Sequence, residues 1–329
     1  MLFLSAADLR DALPMDRALI ASASAFAQIA DAKAQMPPRM SVALGAEGET
    51  ALVMPAYLAG SRAFGVKTLT ITPANAKRGG VPIINAVMTL FDTETGEPLC
   101  ALDGGYLTAL RTGAASGIAT KLMARENAAV LALFGAGAQA YCQVWAVCVA
   151  RAIKRVWIFA PTPEHAESLA GRLRGAGAPI PDDIRVAASS REAVSEAEVI
   201  CAATNSPAPV FDDADLLPGV HINGVGSYLP TTRELPSATV VRARIVVDQR
   251  AAAWAEAGDL IIPRDAGQLY ESQVVGELGD VVLNRMAGRT SNAEITLFKS
   301  VGIAAQDVAA AQAAYERALV LRLGTRVEW

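Results

Sequence analysis

Histidine is nearly missing from this sequence: only His165 and His221 occur in 329 residues. That excludes a histidine-rich metal centre and argues against a Ser-His-Asp triad, so no metal is expected. Cysteine is scarce too. Cys100, Cys142, Cys148 and Cys201 lack CxxC spacing and read as reduced, buried, small apolar residues of a cytosolic protein. There is no basic excess. The formal net charge of −4 gives no electrostatic footprint for nucleic acid. Long apolar runs are also absent. The most apolar stretch, 128–138, is too short to span a bilayer and contains two glycines. The opening Met1–Asp8 has no basic leader and meets an acid at once, unlike a signal peptide. What remains is a chain 52% hydrophobic and only 5% aromatic, the composition of a soluble α/β protein with room for two domains.

Patterning changes along the chain. Ser5 to about Lys33 reads as helical, with Asp8 and Asp16 as caps. Between Pro38 and Leu102, short branched runs alternate with Gly and Pro (40–44, 51–55, 64–72, 83–92), predicting a mostly antiparallel sheet. Asp92–Gly96 reads as a hairpin turn. Leu107–Ala124 reads as one helix rich in small residues. Strands are then expected at 129–134, 155–159, 184–188, 199–203, 221–225 and 244–248, most of them separated by helices, as a parallel sheet buried on both faces requires. A final helix, 303–323, lies beyond the last βαβ unit.

The sharpest local signal is Gly135-Ala136-Gly137-Ala138-Gln139-Ala140, directly after the apolar run Val130–Phe134. This G-x-G-x-x-A turn suits a dinucleotide. The first glycine allows the tight turn, the second lets a pyrophosphate approach, and Ala140 permits close helix packing. The acid that would hold a ribose 2′-hydroxyl is missing. Ala160 and Thr162 occupy the end of the second strand, favouring NADPH over NADH.

Eight segments in order resemble one family: Pro37-Pro38-Arg39; Phe64–Lys67; Leu90–Gly96; Leu107–Ser116, which carries Arg111 and Thr112; Gly135–Ala140; His221–Gly226; Val275–Gly279; and Thr296–Gly302. The chain is similar over nearly its whole length to the ornithine cyclodeaminase/mu-crystallin family. That resemblance implies an α/β fold: a Rossmann dinucleotide-binding domain (116–302) inserted in an α+β substrate and dimerisation domain (1–115, with 303–329 returning to it), assembled as a homodimer. It implies that Arg39, Lys67 and Arg111 bind the substrate carboxylate. It further implies that Arg111, Thr112, Val225, Gly226, Val301 and Gly302 line the cofactor or substrate pocket. Three cations around an α-imino carboxylate make chemical sense, since Arg suits bidentate recognition and a nicotinamide carries the hydride. Lys67 is expected to fix the carboxylate, with proton donation as its other possible role.

One segment departs from the deaminating members, which carry an Asp in a pattern like G-x-D-x-P-G-K-x-E-L. Here Gly226–Leu235 places Tyr228 there, and no carboxylate follows before Glu234. The Gly-Ser-aromatic-x-Pro form resembles members that reduce Δ1-pyrroline-2-carboxylate and Δ1-piperideine-2-carboxylate. The leading expectation is therefore a ketimine reductase. Alanine dehydrogenase or another reductive amination, ornithine cyclodeamination, and a thyroid-hormone-binding role like that of mu-crystallin are the alternatives. Blander readings stand beside these: Arg39 as a solvated loop arginine, Lys67 as a snorkelling edge lysine, Arg111 in an internal ion pair, His221 as a structural core histidine, His165 on the surface, and Asp248 either reaching the site or capping.

Overall fold

The computed structural model describes residues 1–45, 48–78 and 80–328. Trp329, the end of the expected returning segment, lies outside the described residues, as do Ala46, Glu47 and Gly79. The chain divides into two compact units, Met1–Arg111 with Ile303–Trp329, and Thr112–Gly302.

The discontinuous unit is built on a mostly antiparallel sheet. Its strands lie in the order Thr325–Arg326, Leu2–Leu4, Pro98–Asp103, Ile84–Phe91, Ala63–Ile71, Thr50–Leu58 and Ala34–Gln35, and Met40–Ala43 also pairs with Thr50–Leu58. Among the described residues, only the Leu2–Leu4 and Pro98–Asp103 pair runs parallel in this sheet. Residues alternate faces along a strand. Leu52, Met54, Ala56 and Leu58 are buried, and so are Ala63 and Leu69 on the neighbouring strand. Lys67 lies on that same covered face, opposite Met54 on one side and Met88 on the other. The helices Met15–Ala30 and Ala304–Leu321 pack on each other, and the second of them packs on the sheet. The helical patterning expected over Ser5 to about Lys33 is two helices, Ala6–Ala12 and Met15–Ala30, N-capped by Ser5 and Pro14 rather than by Asp8 and Asp16, because Pro14 cannot continue the first.

The Thr112–Gly302 unit holds an eight-stranded sheet, parallel throughout. Its order is Ile184–Val186, Arg155–Phe159, Val130–Phe134, Val199–Ala202, His221–Gly224, Thr296–Lys299, Arg244–Val247 and Val274–Glu277. Strand order reverses beside Val130–Phe134: the next two strands in sequence lie on one side of it and Val199–Ala202 on the other. Ligands of open α/β sheets bind beyond the carboxyl ends of strands at such a reversal. Apolar clusters cover the sheet, one containing Phe134, Ile200 and Leu297, another Leu133, Val144 and Ile158. Gly113 faces the helix Ala140–Ala150, where a Cβ would come within 2.5 Å of the Cys142 carbonyl oxygen, so the two helix backbones meet directly. The strand Thr296–Lys299 was not expected from the sequence. It is short, contains a lysine, and enters the sheet between two strands that precede it in the chain.

Candidate active site

The central unit presents the glycine turn at the strand reversal. Gly135 follows Val130–Phe134 with φ of +99°, and a Cβ on it would stand 2.6 Å from the Ala203 carbonyl oxygen. Both facts demand glycine. Gly137 differs: a Cβ there would meet no heavy atom of the described residues beyond its chain neighbours within 4 Å, so no packing among them requires it to be small. What its bare backbone leaves is an approach for a ligand. Gln139 N-caps the helix Ala140–Ala150 without a side-chain cap, and the first turn has no acid. A helix N-terminus beside an exposed Gly137–Ala138 backbone fits a pyrophosphate. At the end of Arg155–Phe159, Ala160 is half-buried, and exposed Thr162 caps the next helix without a side-chain bond.

The Val225 N–H donates to the Ala202 carbonyl at 2.9 Å, and Gly226 is fixed by a carboxylate that sequence reasoning used only as a landmark. Glu234 is fully buried. It accepts from the Thr204 backbone N–H at 2.6 Å and hydroxyl at 2.7 Å, and from the N–H groups of Gly226 at 2.6 Å and Ser227 at 2.8 Å. Burial pushes its pKa up while Lys299 pulls it down. Asp259 in turn accepts from the N–H groups of Glu234 (2.7 Å) and Leu235 (2.9 Å), and pairs with Lys299 at 2.8 Å. Lys299 closes the ring by donating to the Ser227 carbonyl at 2.7 Å. Gly226 has no room for a side chain, since a Cβ would lie 2.1 Å from the Thr204 carbonyl oxygen. Tyr228, the next residue but one, is half-buried against the apolar cluster.

Asp248 resolves in favour of the capping role. It is buried and accepts from the Ser300 hydroxyl (2.7 Å) and from the N–H groups of Val301 (2.9 Å) and Gly302 (2.8 Å), holding that turn with Gly302 at φ +79°. His221 is a core histidine, paired with Thr296 at 2.9 Å and Asn223 at 3.2 Å, and burial pushes its pKa down to about 3. His165 is exposed.

The discontinuous unit brings Lys67 and Arg111 onto one carboxylate, Asp307, which the sequence reading did not single out. Lys67 Nζ lies 2.9 and 2.8 Å from its two oxygens and 3.3 Å from the Thr108 hydroxyl. Arg111 Nε donates to Asp307 at 2.9 Å, and its Nη1 donates to Gln306 Oε1 at 2.9 Å. Lys67 is 1% exposed, Arg111 6% and Asp307 0%. Arg39 is half-buried after its two prolines, and its charge is felt at Lys67. Burial pushes the Lys67 pKa down to about 8; Asp307 opposes this, and Arg111 and Arg39 add to it. Lys67 and Arg111 are thus two cations on one buried acid, an arrangement that attracts a second anion.

Residues 1–321 match the model of the ornithine cyclodeaminase/mu-crystallin family. The chain is 40% identical over 331 residues to a Δ1-pyrroline-2-carboxylate reductase of Bacillus cereus, covering 100% of both. Among solved structures it is similar to Thermococcus litoralis Δ1-pyrroline-2-carboxylate reductase in complex with NADH and L-proline, at 37% identity, a TM-score of 0.95, and coverage of 99% of this chain and 100% of that one. It is also similar to an archaeal alanine dehydrogenase dimer with bound NAD, at 33% identity, a TM-score of 0.91, and coverage of 100% and 99%.

Proposed function

The chain belongs to the ornithine cyclodeaminase/mu-crystallin family, and from that premise we propose that it reduces a small cyclic α-imino acid, Δ1-pyrroline-2-carboxylate or Δ1-piperideine-2-carboxylate, at the expense of NAD(P)H. The observation that carries this reading is the pairing of Lys67 and Arg111 on Asp307. It leaves unbalanced positive charge in a nearly water-free place, and an imino acid brings a carboxylate next to its C=N bond.

In this reading Arg39, Lys67 and Arg111 hold that carboxylate, and the Val301–Gly302 turn, fixed by Asp248, lines the substrate's surroundings. Gly135, Gly137, Ala138 and Gln139 receive the pyrophosphate, Ala160 and Thr162 the adenosine ribose, and Thr112, Val225 and Gly226 the nicotinamide side. When bound, the reduced nicotinamide supplies the hydride that the imine carbon takes. The protein's share is orientation and charge. Lys67 fixes the carboxylate, with its proton held by Asp307. Tyr228 supports reduction over cyclodeamination, because a deaminase needs a carboxylate there for the substrate's free amine and a cyclic imine has none. NADPH is favoured over NADH only by the missing strand-end acid. Glu164, in the first helical turn after Thr162, works against a 2′-phosphate, so a small preference is expected. The four cysteines are buried thiols that form no disulfide among the described residues, which supports the cytosol as the compartment.

The test is direct. The purified protein is expected to oxidise NADPH or NADH with one or both cyclic imines, faster than with pyruvate and ammonia, and to release no ammonia from ornithine. No oxidation with either ring would sink the reading.

A homodimer is part of the same proposal. Met40 and Val87 lie in one cross-strand row through Val53 and Thr68, and Val42 heads the next row on that face. These three are 61%, 43% and 44% exposed, an apolar sheet face of the kind that a second copy covers. Sedimentation velocity is expected to give twice the 34.3 kDa chain mass; a single species at the chain mass overturns this part.

A further inference from the structure

Gln306 holds a donor that nothing among the described residues accepts. The residue is 1% exposed. Its Oε1 accepts from Arg111 Nη1 at 2.9 Å and from the Ile303 N–H at 3.1 Å. Its Nε2 is buried and has no partner among the described residues. Reversing the amide does not help, since both groups around Oε1 are donors and would then face an NH2. The two bonds on Oε1 therefore fix the carboxamide plane and with it the direction of Nε2. Buried amide donors in folded proteins are almost always paired. An orphan in the first turn of Ala304–Leu321, next in sequence to Asp307 and hydrogen-bonded to Arg111, awaits an acceptor at the cationic cluster.

We propose that Gln306 Nε2 donates to the substrate carboxylate, making Gln306 a specificity-determining residue that reads the anion alongside Lys67 and Arg111. This rests on the imino-acid reading above. The chemistry selects the carboxylate over the ring nitrogen. A protonated imine nitrogen is itself a donor and cannot accept from Nε2, whereas a carboxylate accepts several bonds at once. A neutral donor also suits the place. It adds a directed bond without a third charge pressing on Lys67, whose proton is already under strain from Arg111 and Arg39.

Two variants test it on the full protein loaded with NAD(P)H. Gln306→Glu keeps an oxygen for Arg111 and for the Ile303 N–H, as in a capping box, and replaces only the Nε2 donor. Gln306→Met removes the donor without adding charge. The probe is pyrrole-2-carboxylate, a planar mimic of the imino acid. For both variants its Kd and the KM of the imine are expected to rise by on the order of 30-fold, the range for a lost hydrogen bond to a charged group, with kcat and NAD(P)H affinity little changed. If Gln306→Met lowers thermal stability but leaves Kd and KM as in the wild type, the residue is merely structural and the proposal fails. If only Gln306→Glu weakens binding, the effect is charge repulsion and the proposal again fails. A wild type that neither binds pyrrole-2-carboxylate nor oxidises NAD(P)H with either imine would instead bring down the imino-acid reading beneath it.

Discussion

Lys67→Met is expected to lower kcat/KM for the cyclic imine by on the order of a thousandfold, as removing one partner of a desolvated charge pair does. Methionine fills the same volume on the sheet between Met54 and Met88, so the loss is one of charge. NAD(P)H affinity is expected to stay near that of the wild type, because every residue assigned to the pyrophosphate belongs to the other unit. Thermal stability falls as well, since Asp307 keeps only Arg111 and is fully buried. The double variant Lys67→Met/Asp307→Asn, which removes the stranded charge, should recover stability but not activity. The wild-type pH profile carries the same signature. Only the ammonium form of Lys67 attracts a carboxylate, and burial puts its pKa at about 8. Log kcat/KM should thus be flat below pH 8 and fall about tenfold per pH unit above it, reporting the free enzyme. Lys67→Arg should abolish that limb, because a guanidinium stays protonated. A Lys67→Met enzyme within tenfold of the wild type would remove the cationic cluster from the mechanism.

Lys67 and Arg111 are visible in the sequence because each is an anomaly: a lysine amid apolar strand residues, and an arginine in a helix of small ones. Asp307 and Gln306 are not anomalies. An acid and an amide in the first turn of an alanine-rich helix read as ordinary capping. Their partners lie 240 residues away, at Lys67, and 195 away, at Arg111, beyond the reach of any local pattern. Glu234 is hidden for the same reason, since its donors sit in loops that follow two different strands. The glycine turn is legible because strand, turn and helix are contiguous. Six strands of the parallel sheet are legible from their unalternating runs; Val274–Glu277 is not, nor is Thr296–Lys299, which has no helical crossover pattern before it and a buried lysine within it. That lysine is explained only once Asp259 and the Ser227 carbonyl are seen to receive it. Buried charge is where single-sequence reading stops, because its justification always lies in another segment.

The two glycines of the turn should separate sharply on substitution. Gly137→Val is expected to melt within a few degrees of the wild type. No heavy atom of the described residues beyond its chain neighbours lies within 4 Å of the position its Cβ would take, and its backbone is not in the left-handed region. The same branched side chain would stand where the backbone must meet a pyrophosphate. NAD(P)H affinity is therefore expected to fall by at least about 100-fold, the equivalent of a few kcal/mol, and activity with it. Gly135→Ala should behave in the opposite order. Its φ of +99° and the Ala203 carbonyl oxygen 2.6 Å from the new Cβ make it a folding defect first. Fluorescence titration of NAD(P)H and thermal melts on both variants check this. If Gly137→Val bound the dinucleotide within threefold of the wild type, the open backbone at Gly137 would have no ligand to explain it, and the turn would revert to a structural element. The contrast has force because the geometry gives the two residues different reasons to be glycine: one is demanded by the protein around it, the other by nothing among the described residues.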